Sequence, residues 1–314
     1  MTILLLGGNG QVGHELRRSL ASLGNVVATT RDGRLPDGDP CEPLDMARPD
    51  AVDALIERIS PDVVVNAAAH TAVDRAEDEP DLAFAINAEA PGRIARACAA
   101  RGARLIHYST DYVFDGTGDR PYRESDATAP LGVYGRSKLA GEQAVADSGA
   151  RHLILRTAWV YGLHGANFLR TMLRLGAERD ELRVVADQVG SPTPAWLIAD
   201  VTAAILRRGI VESGVRHLVS AGQTSWHGFA EAIFAEARAH GVVERSPRVL
   251  PISTAEFPTK ASRPAWSVLD SGRLAAEYGV EIPYWYAALA TTFQRGARNW
   301  GDTPRLHPSS SDRG

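Results

Sequence analysis

The residues best suited to do chemistry in this chain are Tyr134 and Lys138, in the run Tyr134-Gly135-Arg136-Ser137-Lys138 that leads into Leu-Ala-Gly-Glu-Gln-Ala. That run reads as the start of a helix, and residues four apart on a helix share a face, so the hydroxyl and the ammonium can reach one pocket. A free tyrosine titrates near ~10 and is a poor acid or base at neutral pH, but an adjacent cation favours the phenolate and eases proton transfer. The pair suits handing a proton to an oxygen whose carbon is receiving hydride. Only two of the 34 basic residues are lysine, Lys138 and Lys260. Arginine serves elsewhere, so a lysine here is a choice. The same two residues on a surface helix would do nothing, and the rest of the chain has to supply the site.

A hydride donor needs a cradle, and one stands at the N-terminus. Residues 2–6 are an apolar strand, Gly7-Gly8-Asn9-Gly10-Gln11-Val12-Gly13 follows, and His14 to Ala21 has helical spacing. Strand, spaced glycines and helix are the context in which such a motif binds a dinucleotide: the glycines allow close backbone approach and the helix N-terminus presents free N–H groups to a pyrophosphate. The glycines of the loop, Gly7 and Gly10 among them, are the expected contacts. A second strand, Asn25 to Thr30, ends at Arg31, where NAD-selective sites commonly carry a carboxylate for the ribose 2′-hydroxyl. Arg31 instead predicts NADPH as the preferred donor, with NADH as the alternative if that side chain points into solvent.

Leu44-Asp45-Met46 is expected to end a third strand on the adenine side, with a helix from Pro49 to Ile59. Pro61 to Asn66 is an unbroken apolar strand of the kind buried on both faces of a parallel sheet. It runs into Ala67-Ala68-Ala69-His70-Thr71, small residues against which a cofactor can lie. A helical run from Pro80 to Arg101, with Asn87 in its middle, leads to a strand at 104–108 that stops at Ser109-Thr110-Asp111, the carboxyl end where open parallel sheets bind ligands. Thr110 could hydrogen-bond the same carbonyl oxygen as Tyr134, although Ser, Thr and Asp also commonly cap helices and form turns. After a polar loop over 116–132 and the Tyr134 helix, residues 151–158 form another strand. Trp159 beyond it is a candidate wall for substrate or an ordinary core aromatic.

Alternation of strand and helix to this point predicts an α/β fold, a Rossmann-like doubly wound parallel sheet. The rhythm then changes to a helix at 167–177, a short strand at 182–185, a loop at 187–194, a helix at 195–207, a strand at 216–220 and a helix at 229–239. The expected division is a dinucleotide-binding domain over 1–161, to which parts of 195–221 return, and a smaller C-terminal α/β substrate-binding lobe, interleaved, mainly in 162–301. A mobile tail is expected over 302–314. Arg263, in the polar loop from Thr259 to Pro264, is a candidate phosphate ligand by charge and bidentate geometry.

At 314 residues, with 44% hydrophobic and 23% charged side chains and a net charge of −4, the composition is that of an ordinary globular protein and points to neither a nucleic-acid nor a membrane surface. Cys41 and Cys98 make no disulfide or metal framework, and the histidines show no metal-ligand spacing, so a reducing cytoplasm is the expected compartment. The N-terminal apolar run is too short for a signal peptide or a membrane span.

Taken in order, the glycine loop, Asn66-Ala-Ala-Ala-His-Thr71, Ser109-Thr-Asp-Tyr-Val-Phe-Asp-Gly116 and Tyr134-x-x-x-Lys138 make the chain resemble the extended short-chain dehydrogenase/reductases. Within them it resembles the dTDP-4-dehydrorhamnose reductase family, through Thr71-Ala-Val-Asp-Arg-Ala-Glu-Asp-Glu-Pro80, Val133 to Glu142, Asp187-Gln-Val-Gly-Ser-Pro-Thr193 and Ser262-Arg-Pro264. The resemblance implies that Tyr134 protonates a C4 oxygen, that Lys138 holds the cofactor ribose and lowers the tyrosine pKa, and that Thr110 holds the carbonyl. It implies a cofactor lined by Gly10, Gln11, Val12, Asp45, Met46, Ala69, His70 and Thr71, and a dTDP-4-keto-6-deoxy sugar met by Tyr108, Asp111 and Trp159. Some members of the family carry a carboxylate at the position of Thr30, and its absence here strengthens the expectation of NADPH. Others bridge a dimer through magnesium on glutamates. Glu15 is present, but Trp196 stands where a second ligand belongs, which argues against Mg2+; a monomer or a homodimer is expected.

Two other classes compete. A dehydratase of this fold would follow Asp111 with a glutamate for elimination chemistry, and Tyr112 stands there; an epimerase would retain tightly bound NAD. A cofactor-binding regulatory subunit without turnover would have no use for an intact Thr110, Tyr134 and Lys138. A 4-ketoreductase for a different dTDP-deoxysugar would look much the same in sequence.

Overall fold

The computed structural model describes residues 1–300, and the tail expected to be mobile, 302–314, lies outside the described residues. In chain order the elements are β1 (Thr2–Leu6), α1 (Gln11–Leu20), β2 (Asn25–Thr30), β3 (Glu42–Pro43), α2 (Pro49–Ile59), β4 (Val63–Asn66), α3 (Val73–Ala76), α4 (Pro80–Phe84), α5 (Ala90–Arg101), β5 (Arg104–Thr110), α6 (Val133–Ala146) and β6 (Arg151–Thr157). They continue as β7 (Val160–Tyr161), α7 (Phe168–Glu178), β8 (Glu181–Val185), β9 (Val189–Gly190), β10 (Thr193–Pro194), α8 (Ala195–Arg208), β11 (Gly214–His217), β12 (Thr224–Ser225), α9 (Trp226–Ala239), β13 (Arg248–Ile252), α10 (Gly272–Tyr278) and α11 (Trp285–Trp300).

Seven strands form one parallel sheet in the order β11-β6-β5-β4-β1-β2-β3. Strand alternation sorts their side chains into two cores. Ile3, Leu5, Val63, Val65, Leu153 and Leu155 face α1, α8 and α10, whereas Leu4, Leu6, Val64, Leu105 and Ile154 face α2 and α5. Both faces are covered, which is why these strands read as continuous apolar runs. Each fully buried Leu or Ile contributes about 1.5–3 kcal/mol relative to exposure. The order reverses between β1 and β4, and the crevice outside the carboxyl ends at such a switch point is where these sheets hold ligands.

A smaller parallel pair, β8 with β13, packs with α7, α9 and α11 around Tyr161, Leu173, Phe229, Phe234 and Trp285. No helix among the described residues is long and apolar enough to cross a membrane.

Four expectations change in detail. Leu44-Asp45-Met46 does not end a strand: β3 stops at Pro43 and Asp45 closes a turn, its carboxylate accepting from Ala47 N–H at 3.0 Å. Asp side chains offer the backbone this local alternative to a ladder. Strand β5 continues through Ser109 and Thr110, because Thr110 pairs with Thr157 of β6. The strand expected at 216–220 is β11, and leaves the sheet at His217. The helical run 80–101 is broken by a π turn over Ala85–Glu89.

Candidate active site

The glycine loop folds as the spacing requires. Gly7 has φ +82°, and a Cβ there would lie 2.8 Å from Ala68 N, so the ends of β1 and β4 touch backbone to backbone. A Cβ on Gly13 would meet the Gly7 carbonyl at 2.0 Å, and that close approach seats α1 on the loop. Gly10 caps α1 without any side-chain hydrogen bond, leaving first-turn N–H groups for a ligand. Over the same helix end, Gln11 donates from Nε2 to the Ala166 carbonyl at 3.3 Å while its buried Oε1 has no partner, and His14 lies against His164 with ring centroids 3.8 Å apart. Val12 turns its side chain into the core, so any contribution to the loop is its backbone.

At the end of β2, Arg31 is exposed. The carboxylate next to it, Asp32, is turned back: Thr30 Oγ1 donates to Asp32 Oδ1 at 2.8 Å and Arg34 N–H at 3.3 Å, and the threonine bond holds the acid below the usual carboxylate range. Arg31 and Asp32 are both exposed at this strand end, and the carboxylate of Asp32 is engaged by Thr30 and the Arg34 N–H.

The loop after β4 carries Ala69, His70 and Thr71, and it is held by Asn87, a residue to which sequence reasoning gave no role. Asn87 is 1% exposed on the π turn, accepts from His70 N–H at 2.9 Å and donates to the His70 carbonyl at 3.1 Å. Its Nδ2 also reaches Ser137 Oγ at 3.0 Å, and Ser137 donates to the Tyr134 carbonyl at 2.8 Å. A buried Asn in the middle of a helix, with a glycine at 141 whose Cβ would meet the Asn87 carbonyl at 2.0 Å, was the available signal. His70 presents a buried Nδ1 without a partner.

Helix α6 places Tyr134 half-buried and Lys138 2% exposed. The ammonium donates to the Tyr108 carbonyl at 2.6 Å; burial pushes it down to about 8, and Glu142 one turn on pulls it back. Glu142 is itself paired with Arg156 at 2.9 and 2.6 Å, both side chains buried. Burial raises the Tyr134 phenol above its ordinary value, a hydrogen bond to Thr110 opposes this, and the charges of Asp111 and Tyr112 add to it. The sequence led to the expectation of a tyrosine lowered by Lys138; burial dominates instead, and the ammonium is held on the Tyr108 carbonyl. The result is a phenol that stays protonated, which suits a donor.

Thr110 completes the triangle. Its hydroxyl donates to Asp111 Oδ1 at 2.9 Å and accepts from Tyr112 N–H at 3.2 Å. Asp111 is 2% exposed, and burial pushes its carboxyl up to about 6 against the hydrogen bonds of Ser267 and Thr110. The ring of Tyr112 meets Tyr134 edge-on at 5.6 Å, and its hydroxyl accepts from Arg263 Nη1 at 3.3 Å. Arg263 thus reaches the ring that packs on Tyr134, its charge engaged by Asp74 at 2.7 Å. Trp159 stands two residues past the position paired with Thr110, its indole stacked on Trp226. Met46 is 8% exposed in the α2 core, and Asp45, half-buried, ends the same strip at the sheet's carboxyl edge.

Tyr108 is a correction. It shares a face of β5 with Thr110, but α8 covers that face there, and its buried hydroxyl bonds Thr202 of α8 at 2.8 Å. Only its carbonyl, holding Lys138, belongs to the site.

Around Glu15 and Trp196, where some other members of the family carry magnesium, the side chains here pair with one another. Glu15 pairs with Arg18, Arg295 lies 4.0 Å over the Trp196 ring, and Asp200 is shared by Arg18 and Arg295 at 2.9 and 3.0 Å. Asp200 is thus already engaged by two guanidinium groups. The glycine loop, by contrast, fits a dinucleotide: uncapped first-turn amides, and the orphaned Gln11 Oε1 and His70 Nδ1 along the crevice.

Comparison with known proteins gives a consistent picture. The family model for the RmlD substrate binding domain matches residues 1–298. The chain is 50% identical over 300 residues to a dTDP-4-dehydrorhamnose reductase of Burkholderia thailandensis, covering 92% of this chain and 97% of that one. It is 47% identical over 292 residues to the dTDP-4-dehydrorhamnose reductase of Escherichia coli K12, covering 92% and 96%. Among solved structures it is similar to the Bacillus anthracis dTDP-4-dehydrorhamnose reductase in complex with NADP, with a TM-score of 0.85 and 36% identity over 94% of this chain and 99% of that one.

Proposed function

The chain belongs to the dTDP-4-dehydrorhamnose reductase family, and from that premise we propose how its own residues perform the reaction. The reaction is the NADPH-dependent reduction of the C4 ketone of dTDP-4-dehydro-L-rhamnose to the alcohol of dTDP-L-rhamnose. Bound NADPH supplies the hydride. The observation that carries the assignment of roles is the convergence of Tyr134, Lys138 and Thr110 at the carboxyl end of β5.

Tyr134, kept neutral by burial, donates its proton to the C4 oxygen as negative charge develops there. Thr110 orients the phenol through their hydrogen bond and can hold the same oxygen. Lys138 shifts from the Tyr108 carbonyl to hold the cofactor ribose, and its charge then favours the phenolate left after proton transfer. Gly7, Gly10 and Gln11 with the Val12 backbone cradle the pyrophosphate, Arg31 meets the 2′-phosphate, Asp45 and Met46 border the adenosine half, and Ala69, His70 and Thr71 lie along the nicotinamide half. Asp111 and Trp159 meet the sugar, and Arg263 exchanges Asp74 for a phosphate of the dTDP moiety.

Residues 1–161 with 195–221 form the cofactor half in this reading, and 162–301 mainly the sugar-nucleotide half. Every role is filled from one chain, so a monomer or a homodimer serves equally. Cys41 and Cys98 are free thiols. They and the need for reduced cofactor favour the cytoplasm.

The test is NADPH oxidation with enzymatically generated dTDP-4-dehydro-L-rhamnose, followed by NMR of the product. Consumption of NADPH with formation of dTDP-L-rhamnose supports the reading. The C4 epimer would keep the chemistry and change the sugar, and no oxidation with cofactor bound would overturn it.

A further inference from the structure

Trp159 has φ +48°, a left-handed conformation that bulky residues avoid. Such a conformation persists only where the surroundings over-determine it. The surroundings are specific. The Trp159 indole lies parallel to that of Trp226, with 3.5 Å between centroids and 3° between planes. Gly190 passes so close that a Cβ there would sit 2.4 Å from the Trp159 ring. The Trp159 carbonyl accepts from Thr193 N–H at 3.2 Å.

Trp226 is fixed in turn. Its indole N–H donates to Gln188 Oε1 at 3.2 Å, Gln188 donates from Nε2 to Thr254 Oγ1 at 3.0 Å, and Thr254 donates its hydroxyl to Asp187 at 2.6 Å. Phe168 packs against the same ring at 4.7 Å. The chain of contacts runs from α9 through the 187–190 loop to residue 254 and ends on one indole at the rim of the catalytic strand.

We propose that Trp226, held by Gln188, is a positioning residue that sets the Trp159 indole for the sugar-nucleotide, so that the second lobe tunes substrate affinity without touching the reacting atoms. This rests on the reading that Trp159 meets the sugar. Losing the stack lets Trp159 relax toward an ordinary backbone conformation and turns its ring away. Because Trp226 lies outside the cofactor crevice, the change falls on the KM for the sugar-nucleotide.

The experiment compares Trp159→Ala, Trp226→Leu, Gln188→Leu and the double variant Trp159→Ala/Trp226→Leu, measuring kcat and KM for the sugar-nucleotide and the Kd for NADPH. Trp226→Leu should raise the sugar-nucleotide KM roughly threefold to tenfold, the size of one aromatic pair, with NADPH affinity unchanged. Gln188→Leu, which keeps the stack and removes its anchor, should move the KM the same way by less. Trp226→Phe should restore most of the affinity. The double variant should be no worse than Trp159→Ala alone. If Trp159→Ala has a normal KM, the sugar contact itself fails. If Trp159→Ala raises the KM while Trp226→Leu and Gln188→Leu do not, or if the double variant multiplies the two effects, the positioning role is overturned.

Discussion

The side-chain amide of Asn87 donates to Ser137 Oγ at 3.0 Å across fifty residues of sequence, and it does so from a π turn. From that turn Asn87 reaches both α6 and the loop at His70. The His70 loop and α6 are thereby fastened to one amide.

Asn87→Ala should therefore strip partners from the His70 N–H and the His70 carbonyl, and leave Ser137 with only its bond to the Tyr134 carbonyl. Unpaired groups of this kind cost about 1–3 kcal/mol in stability. Urea unfolding should show that loss, and kcat/KM should fall more steeply than stability alone explains, because Tyr134 shares the tether through Ser137. Wild-type kcat/KM in a destabilised variant would confine Asn87 to the fold.

Tyr134→Phe removes the donated proton and leaves the packing with Tyr112. Turnover should drop about 10²–10⁴-fold, the size of a general-acid contribution. NADPH titration should give an ordinary Kd. A rate within a few fold of wild type would place the acid elsewhere.

For Lys138 the buried ammonium is pushed down to about 8, while in the unfolded chain it titrates near its ordinary value of 10.5. Between those pH values the unfolded state holds a proton the folded state has released, so the lysine's contribution to stability rises with pH across that window. Activity should run the other way and fall as pH passes about 8. Lys138→Met should flatten that part of the stability profile while weakening cofactor binding, measured by thermal unfolding from pH 7 to 10.5.

Asp111 shows the opposite titration. Its folded carboxyl is pushed up to about 6 from 3.8, so the folded state keeps a proton the unfolded state loses between them, and the cost of burying the charge is complete above pH 6. Asp111→Asn should be more stable than wild type at pH 7.5, by about 1–3 kcal/mol, with the advantage shrinking as pH falls toward 4. Its KM for the sugar-nucleotide should rise, since the amide offers a poorer acceptor to a sugar hydroxyl.

What could be read from the sequence was local. The glycine loop and the Tyr134–Lys138 face each follow from a spacing within one turn or one strand-to-helix junction, and both stand in the structure. Arg263 was singled out by charge, but its partner Asp74 is 189 residues away and no pattern connects them. Asn87 was passed over for the same reason, since its bonds span 17 and 50 residues. Tyr108 was misplaced because a run of polar residues at a strand end hides which face a helix from residues 195–208 will cover. The twist at Trp159 has no signature in composition.

Strand β11 reaches the sheet late. It pairs with β6 only after residues 158–213 have been made, and α8, which covers the Leu153 and Leu155 face, is in that same interval. On the ribosome the first half of the chain must therefore wait with β6 as a bare edge and its apolar face open. Such edges template pairing with other chains. Cutting after Thr157 would leave the β6 edge and the Leu153 and Leu155 face uncovered, and both stay open until His217 has emerged.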